Sequence, residues 1–351
     1  MKRLNYKQKI LLFCSIIVLC FIGIYAEIDY FNKQDIDLNI NQEDQTIIND
    51  AVNSINIANK ELQVQETDNP TILFGSDYQG DNRYDITKQI FRSIKNSVSP
   101  NLFVICGDYQ VGKQNRYETE KGINELNGII NHYYDQSIPK VFVQGNHDSV
   151  QSKFIAQNGI YESDKYIVYV INRDLFPNNQ DVEINSEERV KKTSEVLKND
   201  LQSIVDRGIK KPILIATHVP LHYSIRNNGY DNAYAHYIVD VLNDYGSKLD
   251  IVYLFGHNHS SNYDDYIGGS INYIASGSII NVGGTNEQKE INFTYMNAGY
   301  IGNTYNKTND HSVNLASMST ITINNENLLV QKYTKYGQYY SNPIIVNLKN
   351  K

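Results

Sequence analysis

The sequence has no tryptophan, only seven prolines and only three cysteines in 351 residues. Two of those cysteines, Cys14 and Cys20, sit in an apolar run near the start, so Cys106 stands alone in the remainder. That excludes an internal disulfide framework and leaves the fold to its core, for which the length is ample. There is no complete Gly-x-x-x-x-Gly-Lys-Ser/Thr loop to cradle phosphates and no Gly-x-Ser-x-Gly elbow, so P-loop and serine-nucleophile chemistries have nothing to act through. Basic residues are also in the minority, 32 against 39 acidic, for a formal charge of −7. Four of the 32 (Lys2, Arg3, Lys7, Lys9) precede the apolar run and no acidic residue does, so the rest of the chain is more acidic still. This argues against a nucleic-acid partner held through phosphate contacts.

The run itself, Ile10 to Ala26, is apolar or nearly so for 17 residues behind the basic cluster. Positive charge marks the cytoplasmic side, which places the rest of the chain outside. Residues 1–26 are therefore expected to be a signal peptide or an N-terminal membrane anchor, the protein being secreted if cleavage occurs and tethered otherwise. Ala26 suits cleavage and Ile24 does not, while 17 residues just suffice to span a bilayer. Residues 27–70, rich in Asp, Asn, Gln and Ile, are expected to be a polar spacer with a helix near Gln45 to Lys60. Residues 71–351 are expected to form one domain.

Within that domain, short β-branched and aromatic runs stop at residues that can bind a metal or move a proton. Ile72-Leu73-Phe74 leads to Asp77, Phe103-Val104-Ile105 to Asp108, and Val141-Phe142-Val143 to Asn146-His147-Asp148. Ile213-Leu214-Ile215 leads to His218, and Val252-Tyr253-Leu254-Phe255 to His257-Asn258-His259. Strand ends that all carry such residues imply a shared crevice at the carboxyl edge of a sheet. Helical periodicity lies between them, at Ile86, Ile90, Phe91 and Ile94, at Ile123, Leu126 and Ile130, at Val190, Leu197, Leu201 and Ile204, and at Ile238, Val241, Leu242 and Tyr245. Alternating strand and helix predicts an α/β class with parallel neighbours. After His259 the runs become short and alternating (Ile271 to Ala275, Ile291 to Tyr295, Ser319 to Ile323, Leu328 to Tyr333, Ile344 to Leu348), which predicts a second sheet of antiparallel pairs packed on the first.

Two Asp, one Asn and three His form a mixed oxygen and imidazole set that suits Mn, Fe or Zn better than calcium. They are too many for one ion. Two ions about 3.5–4 Å apart sharing a carboxylate would use them, and such pairs activate water for in-line displacement at phosphorus.

The ordered motifs Asp77, Gly107-Asp108, Gly145-Asn146-His147-Asp148, His218 and Gly256-His257-Asn258-His259 resemble those of the calcineurin-like metallophosphoesterase superfamily. The resemblance spans Thr71 to Ser278. It implies a four-layer sandwich of two mixed β-sheets flanked by helices, and two divalent metal ions as cofactors. By position, Asp108 would bridge the ions, Asp77 and His259 would hold the first, and Asn146, His218 and His257 the second. His147 would act as general acid towards the leaving oxygen. Where the family's first motif reads Asp-x-His, this chain has Asp77-Tyr78-Gln79, so Gln79 is a ligand or a hydrogen-bonding neighbour. Val111 stands where purple acid phosphatases carry a tyrosine and Ser/Thr phosphatases the aspartate that orients the catalytic histidine. Asp148 is then the candidate to orient His147, or to reach a metal. His222 is expected to stabilise its loop by a hydrogen bond.

The expected function is an exported, metal-dependent hydrolase of a small phosphorylated substrate. A phosphodiesterase acting on nucleotides or lipid head groups is the alternative among enzymes. A surface binding module with a degenerate metal site is the alternative outside them.

Overall fold

In the computed structural model the residues described are 55–63, 67–80, 84–112, 114–175, 186–223, 232–259, 273–285, 287–302, 316–334, 336–338 and 342–349. In chain order the strands are β1 (Thr71–Gly75), β2 (Leu102–Ile105), β3 (Lys140–Phe142), β4 (Gly159–Glu162), β5 (Ile167–Ile171), β6 (Ile213–Thr217), β7 (Ile251–Phe255), β8 (Tyr273–Ile274), β9 (Ile279–Asn281), β10 (Gln288–Glu290), β11 (Thr294–Asn297), β12 (Ser317–Ile323), β13 (Asn327–Thr334), β14 (Gly337–Gln338) and β15 (Ile344–Asn347). The helices are α1 (Tyr84–Ile94), α2 (Arg116–Tyr133), α3 (Ser186–Asp206) and α4 (His236–Gly246).

Two large mixed sheets result. One runs β14-β13-β12-β1-β2-β3 with β15 also on β13, and the other β4-β5-β6-β7-β11-β8. β1, β2 and β3 are parallel in the first, and β5, β6, β7 and β11 in the second. The strand runs read as unbroken apolar stretches because both faces are covered. Ile72, Phe74, Val104, Val141, Leu214, Ala216, Val252 and Leu254 meet between the sheets. Alternate residues of the second sheet, Ile213, Ile215, Ile251 and Tyr253, pack outward with Val190, Leu197, Leu201, Ile238 and Leu242 of α3 and α4. These are the residues at which helical periodicity is visible in the sequence.

The division between sheets differs from the expectation. The parallel strands are shared between both sheets, and of the strands after His259 only the antiparallel pair β9–β10 stands as a sheet of its own. β12, β13, β14 and β15 extend the first sheet, while β11 and β8 extend the second. The reason is register. β12 pairs antiparallel to β1 from Thr71↔Thr322 to Phe74↔Ser319, and β11 parallel to β7 from Thr294↔Val252 to Asn297↔Phe255. Strand pattern reports burial and not the identity of the neighbour.

Residues 55–62, the end of the expected spacer, also depart from the reading of the sequence. They run extended across the edges of β3 and β4, with Ala58 N donating to Lys140 O (2.9 Å) and Leu62 N to Glu162 O (2.8 Å). Ala58 and Leu62 join the core between the sheets. Two sheet edges with unpaired backbone groups are covered this way, which a helix ending at Lys60 could not do. The run Ile10 to Ala26 and the rest of the spacer up to residue 54 lie outside the described residues. Among the described residues no helix is long and apolar enough to cross a membrane.

Candidate metal centre

The residues after β1, β2, β3, β6 and β7 meet where the carboxyl edges of the two sheets face each other. The backbone there is unusual. Six non-glycine residues among those described have positive φ, and five of them are Asp77 (58°), Gln79 (52°), Asp108 (58°), His257 (69°) and His259 (49°). Left-handed backbone at bulky residues costs of order 1–3 kcal/mol each and persists only where surrounding structure enforces it. The strand ends turn so sharply that each side chain points back into the crevice. Two glycines permit this. A Cβ on Gly107 would come within 2.6 Å of Gly145, and one on Gly145 within 2.2 Å of Asp108 Oδ1.

Asp77, Asp108 and His218 are buried, and His257 and Asn258 nearly so. His218 Nε2 lies 2.9 Å from Asn146 Oδ1, 3.2 Å from His257 Nδ1 and 3.3 Å from Asp108 Oδ2. His257 Nδ1 is 2.8 Å from Asn146 Oδ1. On the far side of Asp108, His259 Nε2 lies 3.0 Å from Asp77 Oδ1 and 2.7 Å from the side-chain amide of Gln79. Two groups of potential metal ligands follow, Asp108-His218-His257 and Asp77-Asp108-His259, each with its ligand atoms within 4.8 Å of one another. Asp108 belongs to both.

The donor chemistry fits a cation. His218 Nδ1 faces the carbonyl of Cys106 at 2.7 Å, so in the neutral ring it donates there and presents a bare Nε2 to the cluster. That lone pair meets two oxygens and a second imidazole nitrogen, an arrangement that repels itself unless a proton or metal sits inside. A tetrahedral ion with bonds of about 2.0–2.1 Å spaces its ligands by about 3.3 Å, close to these separations. Asp77 Oδ1 is buried and makes no hydrogen bond of acceptable geometry, although His259 is near. Its other oxygen accepts from His257 N at 2.9 Å, which aims the carboxylate.

Electrostatics agree. Burial pushes the Asp108 carboxyl up, but the charges of His218 and His147 outweigh it and hold it well below the usual range. Burial likewise pulls the His218 imidazole down, and Asp108 and Asp77 outweigh that, raising it to about 9. Without a metal, the two neighbouring carboxylates favour a proton on His218.

His147 is about one-third exposed, with Nε2 3.9 Å from Asp108 Oδ2. Its Nδ1 faces the carbonyl of Gly112 at 2.8 Å, and its backbone N donates to Asp108 Oδ1 at 3.0 Å. Gly112 is thus what orients the ring, and Asp148 is not. Asp148 does not reach the ligand cluster either. Its buried carboxylate accepts from the backbone N of Asp108 (2.7 Å), Tyr109 (2.9 Å) and Gly145 (2.8 Å), tying two ligand loops together. Burial and the neighbouring Asp108 push that carboxyl up to about 7.

Several supporting residues carry no sequence signal. The Gln110 amide donates to His147 O at 2.6 Å, and that of Gln114 to Asn146 O at 3.2 Å. Tyr300 stacks on His259 with ring centres 4.7 Å apart and planes 11° apart. Tyr109 is a buried wall residue, its hydroxyl shared by the carbonyls of Ile105 and Val143. His132 and His236 lie on α2 and α4, away from the cluster, and His311 is outside the described residues. A cavity of about 1000 Å³ lined by Glu61, Asp68, Glu162, Asp164 and Lys211 lies at the opposite ends of the strands and shares no residue with the centre.

Comparison with known proteins bears on the family and the fold. The profile of the calcineurin-like phosphoesterase family matches residues 70–261, more than half of the chain. Among solved structures the chain is similar to GAP50, the anchor in the inner membrane complex of Plasmodium. Identity is 14%, with 81% of this chain and 90% of that one covered, at a TM-score of 0.51. It is also similar to the purple acid phosphatase PPD1 from yellow lupin (Lupinus luteus) seeds, at 12% identity over 80% of this chain and 54% of that one, with a TM-score of 0.50. At such identities the likeness is one of fold. No curated protein matches the sequence.

Proposed function

The chain belongs to the calcineurin-like phosphoesterase family, and on that premise we propose that it is an exported hydrolase of phosphate esters with a centre for two divalent cations. One observation carries the reading. Asn146 Oδ1, His257 Nδ1 and Asp108 Oδ2 lie 2.9, 3.2 and 3.3 Å from His218 Nε2, with Asp108 shared by a second group at Asp77 and His259. Such a cluster is costly to assemble without a cation to occupy it.

When bound, two such ions supply Lewis acidity towards phosphate oxygens and lower the pKa of water towards about 7. The chain's own residues do the rest. Asp108 would belong to both positions, Asp77 and His259 would hold the first ion, and Asn146, His218 and His257 would hold the second. His147, oriented through Nδ1 by the Gly112 carbonyl, keeps Nε2 towards the crevice and protonates the leaving oxygen there. Mn, Fe or Zn suits the donor set. The basic cluster before Ile10 to Ala26 supports export, with that segment as a signal peptide or an anchor and the catalytic domain outside the cytoplasm.

The test is elemental analysis of the purified protein, paired with hydrolysis of p-nitrophenyl phosphate and bis-p-nitrophenyl phosphate under added Mn, Fe, Zn or Mg. About two ions per chain and metal-dependent turnover are expected, and the preferred ester separates monoesterase from diesterase. Gln79 favours a second reading, a binding module whose first position stays weak; a single weakly held ion with no turnover on either ester would establish that instead.

A further inference from the structure

His222 lies four residues after His218 on the same loop and is completely buried, so it cannot meet a substrate. Its surroundings give it another use. The Tyr295 hydroxyl, from β11, receives the backbone N–H of Leu221 at 2.7 Å and that of His222 at 3.3 Å, and lies 2.7 Å from His222 Nδ1. A phenol oxygen that accepts two N–H groups has one proton left to give. It gives that proton to Nδ1, which puts the imidazole hydrogen on Nε2. There His222 Nε2 lies 3.4 Å from Asn258 Nδ2, and an Nε2–H calls for that amide turned over so that its oxygen accepts. Asn258 is itself nearly buried and stands between His257 and His259.

The His222 ring is also fixed from its flanks. Phe255 and Tyr295 each meet it edge-on with centroids 5.6 Å away, and Phe255 stacks on Tyr295 at 4.6 Å. The Asn232 amide and the Tyr253 hydroxyl hold the same loop through the carbonyls of His222 and Val219. The loop that delivers one histidine of the centre is therefore tied, through a tyrosine and a buried imidazole, to the turn that delivers the other two.

We propose that His222 is a positioning residue, which with Tyr295 and Asn258 locks the His218 loop to the His257–His259 turn so that the three imidazoles keep the spacing a cation needs. The proposal rests on the hydrolase reading only for its effect on turnover; its effect on metal binding stands apart from it.

The test uses the full chain and the variants His222→Phe, Tyr295→Phe, the pair combined, and His222→Gln. Mn²⁺ binding is followed by the loss of the free-ion electron paramagnetic resonance signal, and kcat and KM are taken with p-nitrophenyl phosphate. Outer-shell partners of metal ligands are commonly worth 10–100-fold in affinity, and a loss of about tenfold is expected in each single variant. kcat should fall and KM hold. The double variant should lose no more than about twofold beyond the worse single one, because both break one chain of hydrogen bonds. His222→Gln, which keeps a donor towards Asn258, should recover to within about threefold of the parent. Unchanged Mn²⁺ binding in His222→Phe, multiplying losses in the double variant, or no recovery in His222→Gln overturns the proposal. If His222→Phe fails to fold, Tyr295→Phe, which removes one oxygen, decides on the same measurements. A parent chain that binds Mn²⁺ and hydrolyses nothing sinks the hydrolase reading alone and leaves His222 to be judged by its Mn²⁺ titration.

Discussion

Around Asn146, three ligand atoms stand within 3.3 Å of His218 Nε2, and backbone braces His218 and Asp108. Around Asp77 the bracing is different, with His257 N aiming the carboxylate, His259 stacked on Tyr300 and its Nε2 2.7 Å from the Gln79 amide, where an imidazole would have given the cluster a fourth strong donor. Both halves hang on Asp108. The contrast teaches that ligand type and bracing differ within one centre, and on the proposed two-ion reading it predicts unequal affinities for two ions of the same element.

The strongest way to break that contrast is to remove the residue common to both halves. Asp108→Asn should empty both positions and lower turnover of an aryl phosphate by about 10³-fold or more, with metal content falling in parallel. A variant that kept two ions would show that the halves stand independently. His147→Gln should lower kcat by about 10²–10⁴ while metal content stays as in the parent; loss of metal with activity would mean that His147 belongs to the ligand set. A smaller effect sharpens the comparison directly. Gln79→His should tighten the weaker of two Mn²⁺ binding steps by about tenfold and leave the tighter step alone. An unchanged weaker step would mean that glutamine already serves as well as imidazole.

The smallest expected effect is thermal and concerns the protein stripped of metal. His218 is raised from 6.5 to about 9 in the fold, so the stability it adds is complete below pH 6.5 and is lost as pH rises through 9. Asp148, raised from 3.8 to about 7, acts in the same direction over a lower window, because the folded form holds the proton more tightly than the unfolded chain. The melting temperature of EDTA-treated protein should fall by a few degrees between pH 6 and pH 9. Added Mn²⁺ should reverse the trend, since it replaces the proton on His218 more readily at higher pH. A melting temperature that rose with pH in the stripped protein would contradict the raised His218.

The strand ends and their ligands are legible in the sequence because each requirement is local: an apolar run, a turn, then a donor. The helices facing the core are legible for the same reason. Partition of the strands between two sheets is not, because β11 beside β7 and β12 beside β1 are matters of long-range register. The covering segment at residues 55–62 is equally hidden, its contribution being backbone hydrogen bonds and two small apolar contacts at Ala58 and Leu62. At the centre, what escapes the sequence is whatever acts through a carbonyl or at a distance. Gly112 orients His147 with a group that every residue possesses, and Tyr300 reaches His259 from a stretch of loop composition. Asp148 shows the converse. Its identity and place suggest a catalytic partner, and the fold uses it as a clasp for backbone.

Left-handed backbone at Asp77, Asp108, His257 and His259 sets the aspartates and histidines of the crevice against the comfort of the chain. Glycine or asparagine would sit more easily at each of these positions. A descendant released from selection for its chemistry would gain stability by drifting to them. Among relatives of this chain, acidic and imidazole side chains kept at those four places would therefore distinguish working copies from those retained only for their shape.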